Sequence, residues 1–195
     1  MQEIVLASGN PGKLRELDNL LQPLGWHVRS QKAFEVPEPE ETGLTFVENA
    51  LIKARNAARS TGLAALADDS GLAVDALGGR PGIFSARYSG PEGDDEANNR
   101  KLLHELGDIP PEQRGAFYHC SLVLLTHAED PVPIIAEGQW RGRIGFEPRG
   151  EGGFGYDPLF VPRGRQRTFG ELPPSVKQEI SHRSEAFRAL RPWLE

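Results

Sequence analysis

Two adjacent aspartates interrupt an apolar stretch that otherwise has the pattern of a buried strand. Asp68 and Asp69 follow the apolar residues 63–67, and apolar residues resume at Leu72. Burying a carboxylate is unfavourable unless a cation, a metal ion or several hydrogen-bond donors meet it. A bivalent metal ion is the simplest explanation for two adjacent carboxylates here, so we expect the reactive site of the protein at this position. The alternative is a strand that ends at a surface turn, where Asp, Ser and Gly are common.

Length and charge narrow the class of protein. A chain of 195 residues fits one domain, or one domain of two lobes. The net charge of -6 argues against a general duplex-binding surface, although a local basic patch is compatible with it. The single cysteine, Cys120, excludes an internal disulfide and a cysteine-cluster metal site, and its apolar neighbours predict a buried side chain.

No apolar segment approaches the ~20 residues that are needed to span a bilayer. The first residues also lack the basic region of a secretion signal. We therefore expect a soluble, cytoplasmic protein with no membrane partner and no stable nucleic-acid partner.

A strand, a turn and a helix are predicted at the start of the chain. Residues 4–7 are β-prone, and leucines from Leu14 to Leu21 follow at helical spacing. The turn between them consists of Ser8, Gly9, Asn10, Pro11, Gly12 and Lys13. Its glycines, the free N–H groups of the helix start and the charge of Lys13 suit a phosphate. The spacing is not that of a Walker A loop, and an ordinary βα turn is the alternative.

A second helix is predicted after an acidic, proline-rich loop at residues 36–43. Thr45 and Glu48 fit a capping box, so the helix should run from Phe46 to about Ser60. At about 100° per residue, Lys53 falls on the apolar face of this helix. Either its ammonium group reaches solvent from the edge of that face, or it points inward to an anion near the two aspartates.

The middle of the chain predicts a helix and three strands. Asp94 or Asp95 caps the helix, which ends at Gly107, and residues 98–101 are expected to face solvent. The strands are expected over residues 116–126, 134–138 and 140–146, the last two as a hairpin.

Aromatic rings lie among glycines near the end of the chain. Phe154 and Tyr156 stand in a glycine-rich stretch beside Asp157. Glycines let a flat ligand approach a ring, so either ring is a candidate to stack on a base. A glycine-rich turn with incidental aromatic residues is the alternative.

A basic pair is predicted at the start of the last helix. Ser181 is the expected N-cap, which places His182 and Arg183 in the first turn. Positive charge there is mildly unfavourable against the helix dipole, so the placement asks for a reason. Their donors suit a carbonyl oxygen or ring nitrogen of a base, or a phosphate.

Together and in this order, these stretches resemble the inosine triphosphate pyrophosphatase family, and within it the bacterial dITP/XTP pyrophosphatases. Each stretch is weak alone, but the set spans nearly the whole chain and is specific. Pro11 occupies the variable position of the family's Gly-Asn-x-Gly-Lys turn. The matching stretches are residues 8–13, 40–43, 46 with 48–50, 67–72, 81–82 with 85–88, 152–160 and 181–183.

The resemblance implies a fold and an activity. The fold is α/β: a long mixed β-sheet forms a platform, and flanking helices form two lobes around a nucleotide cleft, usually within a homodimer. The activity is hydrolysis of the non-standard purine nucleoside triphosphates ITP, dITP and XTP to the monophosphate and pyrophosphate with Mg²⁺.

The resemblance also implies roles for individual residues. Residues Ser8 to Lys13 and Lys53 would hold the triphosphate. Glu40 or Glu41, together with Asp69, would bind the metal, and Asp69 or Asp68 would activate water. Ser70 and Lys177 would contact the nucleotide, and Phe154, within the segment that includes Gly155 and Tyr156, would stack on the base. Asp157, His182 and Arg183 would read the edge of the base.

This chemistry is coherent, and two other functions compete with it. A metal ion neutralises phosphate oxygens while a carboxylate orients water, and donors at His182 and Arg183 would prefer the 6-keto oxygen of hypoxanthine or xanthine to the amino group of adenine. In one alternative, an aspartate of the pair is a covalent nucleophile and the product is phosphate. In the other, the protein is a non-catalytic nucleotide- or RNA-binding module, although carboxylates facing a phosphate without a metal would repel it.

Overall fold

A six-stranded mixed β-sheet organises the computed structural model, which describes residues 2–195. Its strands are β1 (Gln2–Leu6), β2 (Trp26–Ser30), β3 (Ala65–Val74), β4 (Gly115–Leu125), β5 (Ile134–Ile144) and β6 (Phe160–Pro162). They are ordered β2-β1-β3-β4-β5-β6. β1 pairs in parallel with β2 and β3, whereas β5 and β6 are antiparallel. The predicted mixed α/β class is therefore confirmed.

Local signals in the sequence set the helix ends. The helices are α1 (Pro11–Leu21), α2 (Phe46–Thr61), α3 (Asp95–Leu106), α4 (Pro174–Ile180) and α5 (His182–Leu190). The capping box of Thr45 and Glu48 starts α2, and Asp94 caps α3. Ser181 accepts a hydrogen bond from the Ser184 N–H at 3.2 Å, as an N-cap of α5 does. Within residues 2–195, no helix is both long enough and apolar enough to cross a membrane.

The chain divides into two compact units. The first comprises residues up to Asp69, Cys120–Gly138 and Glu185–Glu195. Its core includes Leu6 and Leu66 on neighbouring strands and the alanines of α2. Alanine side chains are short, so α2 packs closely against β1.

The second unit comprises Ser70–His119 and Gln139–Ser184. Its core contains Leu72, Leu102 and a group of aromatic rings that includes Tyr118 and Phe160. These two rings lie 4.7 Å apart between centroids at an interplanar angle of 56°, a tilted geometry that aromatic pairs favour.

The predicted hairpin at residues 134–146 is wrong. One continuous strand, β5, occupies Ile134–Ile144 and pairs with β6. Gly138 has the appearance of a turn residue in the sequence, but it is buried within the strand. A lone glycine does not turn a chain unless the residues beside it adopt turn geometry.

The exposed face that was expected at residues 98–101 is also partly wrong. Asn98 and Asn99 are 2% and 7% exposed. The Asn98 side-chain oxygen accepts hydrogen bonds from the Ser89 N–H and hydroxyl, both at 2.7 Å. A polar side chain is tolerated in the interior when it satisfies backbone groups of a loop in this way.

Asp130 fixes the turn between β4 and β5 and gives a pH-dependent prediction. Its carboxylate accepts hydrogen bonds from the Thr126 N–H and hydroxyl and from the Val132 N–H, at 2.7–2.9 Å. These bonds, first that from the Thr126 N–H, lower the pKa of Asp130 from 3.8 to about 2. A carboxylate whose pKa is lowered in the folded state stabilises the fold above its unfolded pKa and loses that contribution on protonation.

We therefore expect the difference in free energy of unfolding between wild type and Asp130→Asn to shrink as pH falls from 3.8 to about 2. Urea denaturation at several pH values measures this difference. Asp108→Asn, at an exposed carboxylate, is the matched control. A difference for Asp130→Asn that does not change with pH would contradict the role of these hydrogen bonds.

Candidate functional site

The turn before α1 is held by its own side chains. The Asn10 side chain accepts hydrogen bonds from the N–H groups of Gly12 and Lys13 at 2.8 and 3.2 Å. The Asn10 N–H donates to the Ser8 hydroxyl at 3.1 Å, and Pro11 is the first residue of the helix. Asparagine as N-cap and proline at the first helical position are both favourable. The turn is therefore rigid, with Lys13 directed from the first turn of α1.

Gly9 lies next to the acidic loop. A Cβ atom built at this position would collide with the Glu38 carboxylate. The Glu38 side chain of the acidic loop therefore lies directly against the turn.

Lys13 reaches the buried member of the aspartate pair. Asp68 is 0% exposed, and the Lys13 ammonium nitrogen lies 2.7 Å from its Oδ1. The Cys120 thiol, which is buried as expected, donates to Asp68 Oδ2 at 3.3 Å. Partners on both oxygens, one ionic and one a hydrogen bond, offset the free-energy cost of burying this carboxylate and fix its orientation.

Lys53 points inward, towards the second member of the pair. Its Nζ lies 2.6 Å from Asp69 Oδ1 and 3.2 Å from Glu41 Oε1. Burial opposes the charged form of Lys53, but Asp69 and Glu41 outweigh it and hold the pKa of Lys53 above its ordinary value. Of the two orientations proposed for Lys53, the structure has the one that faces an anion.

Asp69 differs from Asp68 in ways that suit a base. Burial raises the pKa of Asp69 above its ordinary value, against the opposing effect of Lys53 and then Lys13. Its Oδ2 is buried and has no hydrogen-bond partner among residues 2–195. A carboxylate with a raised pKa and an unused oxygen is equipped to accept a proton or to ligate a cation.

The acidic group fits a divalent cation. Asp68, Asp69 and Glu41 supply three carboxylates against the two ammonium groups of Lys13 and Lys53, so negative charge is in excess when all are ionised. No three acidic, histidine or cysteine side chains of the described chain are arranged to hold a metal alone. Mg²⁺ commonly takes one or two carboxylates and completes its shell with substrate phosphates and water, so a smaller protein ligand set is consistent with it.

The structure separates the two candidate glutamates. Glu41 is partly buried beside Lys53, whereas Glu40 is exposed and forms no ion pair with any residue of the described chain. Of the two, Glu41 is the one near Asp69.

In the second unit, Asp157 organises the glycine-rich loop. It is 1% exposed, and its Oδ2 accepts hydrogen bonds from the Phe154 N–H at 2.9 Å and from the Lys177 ammonium at 2.7 Å. Gly153 has a φ of +73°, and a Cβ there would collide with the Asp157 carboxylate. The aspartate therefore holds the loop and Lys177 in place.

Phe154 is the ring that this loop presents beside cations. It is half-buried, with the Lys177 ammonium 4.4 Å and the Arg183 guanidinium 5.8 Å from its centroid. Tyr156, the other candidate for stacking, is 3% exposed and donates its hydroxyl to the Ser85 carbonyl at 2.7 Å. The Tyr156 ring belongs to the core, so its expected availability for stacking is wrong.

The basic pair at the start of α5 is buried. His182 and Arg183 are 3% and 1% exposed, and Arg183 donates to the Ser70 hydroxyl at 3.0 Å. Tyr118 stacks on His182 with centroids 4.6 Å apart and rings 11° from parallel. Its hydroxyl donates to Asp157 Oδ1 at 3.4 Å, and burial, followed by the Asp157 charge, raises the pKa of Tyr118 well above its ordinary value.

Sequence reasoning missed several residues that hold these groups. Tyr118 and Cys120 lie on the inward face of β4, and their polar atoms in a buried strand are the only sequence signal of a partner. Asp95 and Asn99 of α3 bind the N–H and the carbonyl of Gly155 at 2.8 and 3.1 Å. The spacing of α3 gives no sign that it meets this loop.

The chain is similar to known proteins over nearly its full length. The family model described as Ham1 family matches residues 4–193. A dITP/XTP pyrophosphatase of Thioalkalivibrio sulfidiphilus is 57% identical over 193 residues, which are 99% of this chain and 98% of that protein. One of Yersinia pseudotuberculosis is 55% identical over 190 residues, 97% of this chain and 96% of that protein.

Solved structures agree with the fold. A HAM1 protein from Coxiella burnetii superposes with a TM-score of 0.90 at 49% identity, covering 100% of this chain and 98% of that one. The Staphylococcus aureus Ham1 protein gives a TM-score of 0.85 at 38% identity, covering 99% and 98%.

Proposed function

The chain belongs to the Ham1 family, and from that membership we propose that it is a nucleoside-triphosphate pyrophosphatase. It hydrolyses the non-standard purine nucleotides ITP, dITP and XTP to the monophosphate and pyrophosphate, and so removes them from the nucleotide pool. The observation that carries this is identity of 55–57% across nearly the whole chain to proteins named for that activity.

Residues around the aspartate pair are proposed to act on the triphosphate. Asp69 orients and deprotonates the attacking water, which its raised pKa and unused oxygen support. Lys13 and Lys53 bind phosphate oxygens and stabilise the departing pyrophosphate. Asp68, which accepts a hydrogen bond from Cys120, fixes the position of Lys13 through their ion pair.

Glu41 and Asp69 are proposed as the ligands of Mg²⁺. When bound, this ion neutralises the phosphate oxygens and lowers the barrier to attack at the α-phosphorus. The shared contact of both carboxylates with the Lys53 ammonium supports the pairing, because it shows two anionic groups converging on one positive charge.

Phe154, His182 and Arg183 are proposed to select the base. Phe154 stacks on it, while donors of His182 and Arg183 meet the 6-keto oxygen of hypoxanthine or xanthine. Adenine presents an amino group there and would leave buried donors unpaired, which is costly. Ser70 and Lys177 contact the nucleotide, and Asp157 holds Lys177 and the loop in position.

Tyr118 is expected to affect this selection through His182. Tyr118→Leu removes the stacked ring, so we expect the ratio of kcat/KM for dITP to that for dATP to fall by roughly threefold to tenfold, the range of an aromatic pair. Tyr118→Phe keeps the ring and should retain most of the ratio. If the leucine variant has wild-type selectivity, with thermal unfolding showing that it is folded, Tyr118 does not position His182.

The assembly and location are proposed by resemblance to the family. We propose a cytoplasmic homodimer, which acts where nucleotide pools are used. Light scattering after size-exclusion chromatography should give the mass of two chains, and the mass of one chain would contradict the dimer.

Product analysis tests the proposed function. The purified protein with ITP, dITP or XTP and Mg²⁺ should release pyrophosphate and monophosphate in equal amounts, and EDTA should stop the reaction. Release of phosphate with a trapped aspartyl-phosphate would indicate the covalent phosphatase instead. Nucleotide binding without any product would indicate a binding module.

A further inference from the structure

Three arginines share one face of the β5–β6 pair. Arg143 lies opposite Val161 in the antiparallel register. The Arg163 N–H donates to the Arg141 carbonyl at 2.9 Å, so this pair continues the register one step further. Residues two apart on a strand and residues directly opposite each other point to the same face. The register therefore gathers three guanidinium groups.

Only one of these arginines has a carboxylate partner. Arg141 lies 3.0 Å from Asp75 and packs over the Phe117 ring at 4.9 Å. Within residues 2–195, neither Arg143 nor Arg163 forms a side-chain hydrogen bond or an ion pair. Like charges directly opposite each other on two strands are destabilising, and Arg141 and Arg163 are opposite in this register, so a bound anion would offset their repulsion.

The arginines line a groove. Its volume is about 360 Å³, and Glu112 is the one acidic residue in its lining. The remaining lining is glycine, proline and valine, so small residues leave space between the guanidinium groups. Guanidinium groups bind phosphate oxygens in a bidentate manner, which makes arginine the preferred side chain for such ligands.

We propose that this groove is a second anion site, which binds a short oligophosphate chain, either free or carried by a nucleotide. None of its residues belongs to the candidate catalytic site, so the proposal goes beyond the proposed function. A single-stranded nucleic acid is disfavoured, because no aromatic ring lines the groove to stack on a base and the negative net charge opposes a long polyanion.

The test is a titration of the full chain, labelled with ¹⁵N, with inorganic tripolyphosphate in EDTA. The amide signals of Gly142 and Gly164 report on the groove, and those of Gly9 and Gly12 report separately on the turn before α1. We compare wild type with Arg143→Ala/Arg163→Ala. Arg59→Ala/Arg188→Ala is the matched control, because it removes the same charge from exposed arginines that have glutamate partners.

We expect the groove signals to shift and saturate in wild type and in the control. In Arg143→Ala/Arg163→Ala the dissociation constant read from them should rise about tenfold or more. Hydrolysis of XTP should be unchanged, so the result does not depend on the proposed function. A parallel titration with ATP distinguishes the two sources of the phosphate chain. If the groove binds the phosphate chain of a nucleotide, ATP shifts the groove signals as tripolyphosphate does. If it binds only a free oligophosphate, tripolyphosphate shifts them and ATP does not.

Two results would overturn the proposal. One is the absence of groove shifts in wild type, or equal affinity in wild type and the double variant. The other is tighter binding of a single-stranded oligonucleotide than of tripolyphosphate at the groove signals.

Discussion

Replacing Asp69 with asparagine is expected to lower kcat for XTP by roughly a thousandfold or more, while nucleotide binding is retained. The variant keeps the shape of the side chain but removes the charge that accepts a proton. Lys53 keeps Glu41 as an ionic partner at 3.2 Å, so the neighbouring geometry should survive. Steady-state kinetics and equilibrium binding of XTP measure the two effects separately.

Asp75→Asn is the matched control for this experiment. Asp69 lies within β3, and Asp75 directly follows that strand. The exposed carboxylate of Asp75 pairs with Arg141, outside the candidate site. Its kcat should equal that of wild type. Substantial residual turnover by Asp69→Asn would refute the assignment of Asp69 as the base, and a larger loss in Asp68→Asn would transfer that role to Asp68.

Lys177→Met is expected to have the largest effect on stability, a loss of about 3–5 kcal/mol. The Lys177 ammonium lies 2.7 Å from Asp157 Oδ2, and the two side chains are only 7% and 2% exposed. Removing the cation takes the Lys177 ammonium away from a buried carboxylate, which costs more than the pair contributes. For a chain of this length, such a loss lowers Tm by roughly 6–20 °C, which calorimetry measures.

The double variant Asp157→Asn/Lys177→Met is the control for that interpretation. Because it removes both charges, it should be more stable than Lys177→Met alone, and a double-mutant cycle gives the coupling energy. If the double variant is no more stable than the single one, the loss of the Lys177 charge beside the Asp157 carboxylate is not the cause of the lower stability.

The sequence predicted those parts of the fold that depend on short-range signals. Thr45 and Glu48 lie three residues apart and define a cap by themselves, so the start of α2 was predictable to the residue. Gly138 shows the limit of such signals. A strand and a turn both accept glycine, and the pairing of β5 with a distant segment, β6, decides between them.

The same distinction applies to the candidate site. The helical period placed Lys53 on the apolar face, and the structure then distinguished an inward ammonium from one at the edge. Cys120 and Tyr118 are far in sequence from Asp68 and Asp157, which they contact. No local pattern reports contacts at that separation, because they depend on strand order rather than on the period of any one element.

Hydrolysis of XTP in H₂¹⁸O with Mg²⁺ tests most directly whether water attacks the α-phosphorus. Attack there places one ¹⁸O atom in the monophosphate and leaves the pyrophosphate unlabelled. Mass spectrometry of both products reads the outcome. The account predicts label in the monophosphate alone, and label in pyrophosphate or in released phosphate would contradict it.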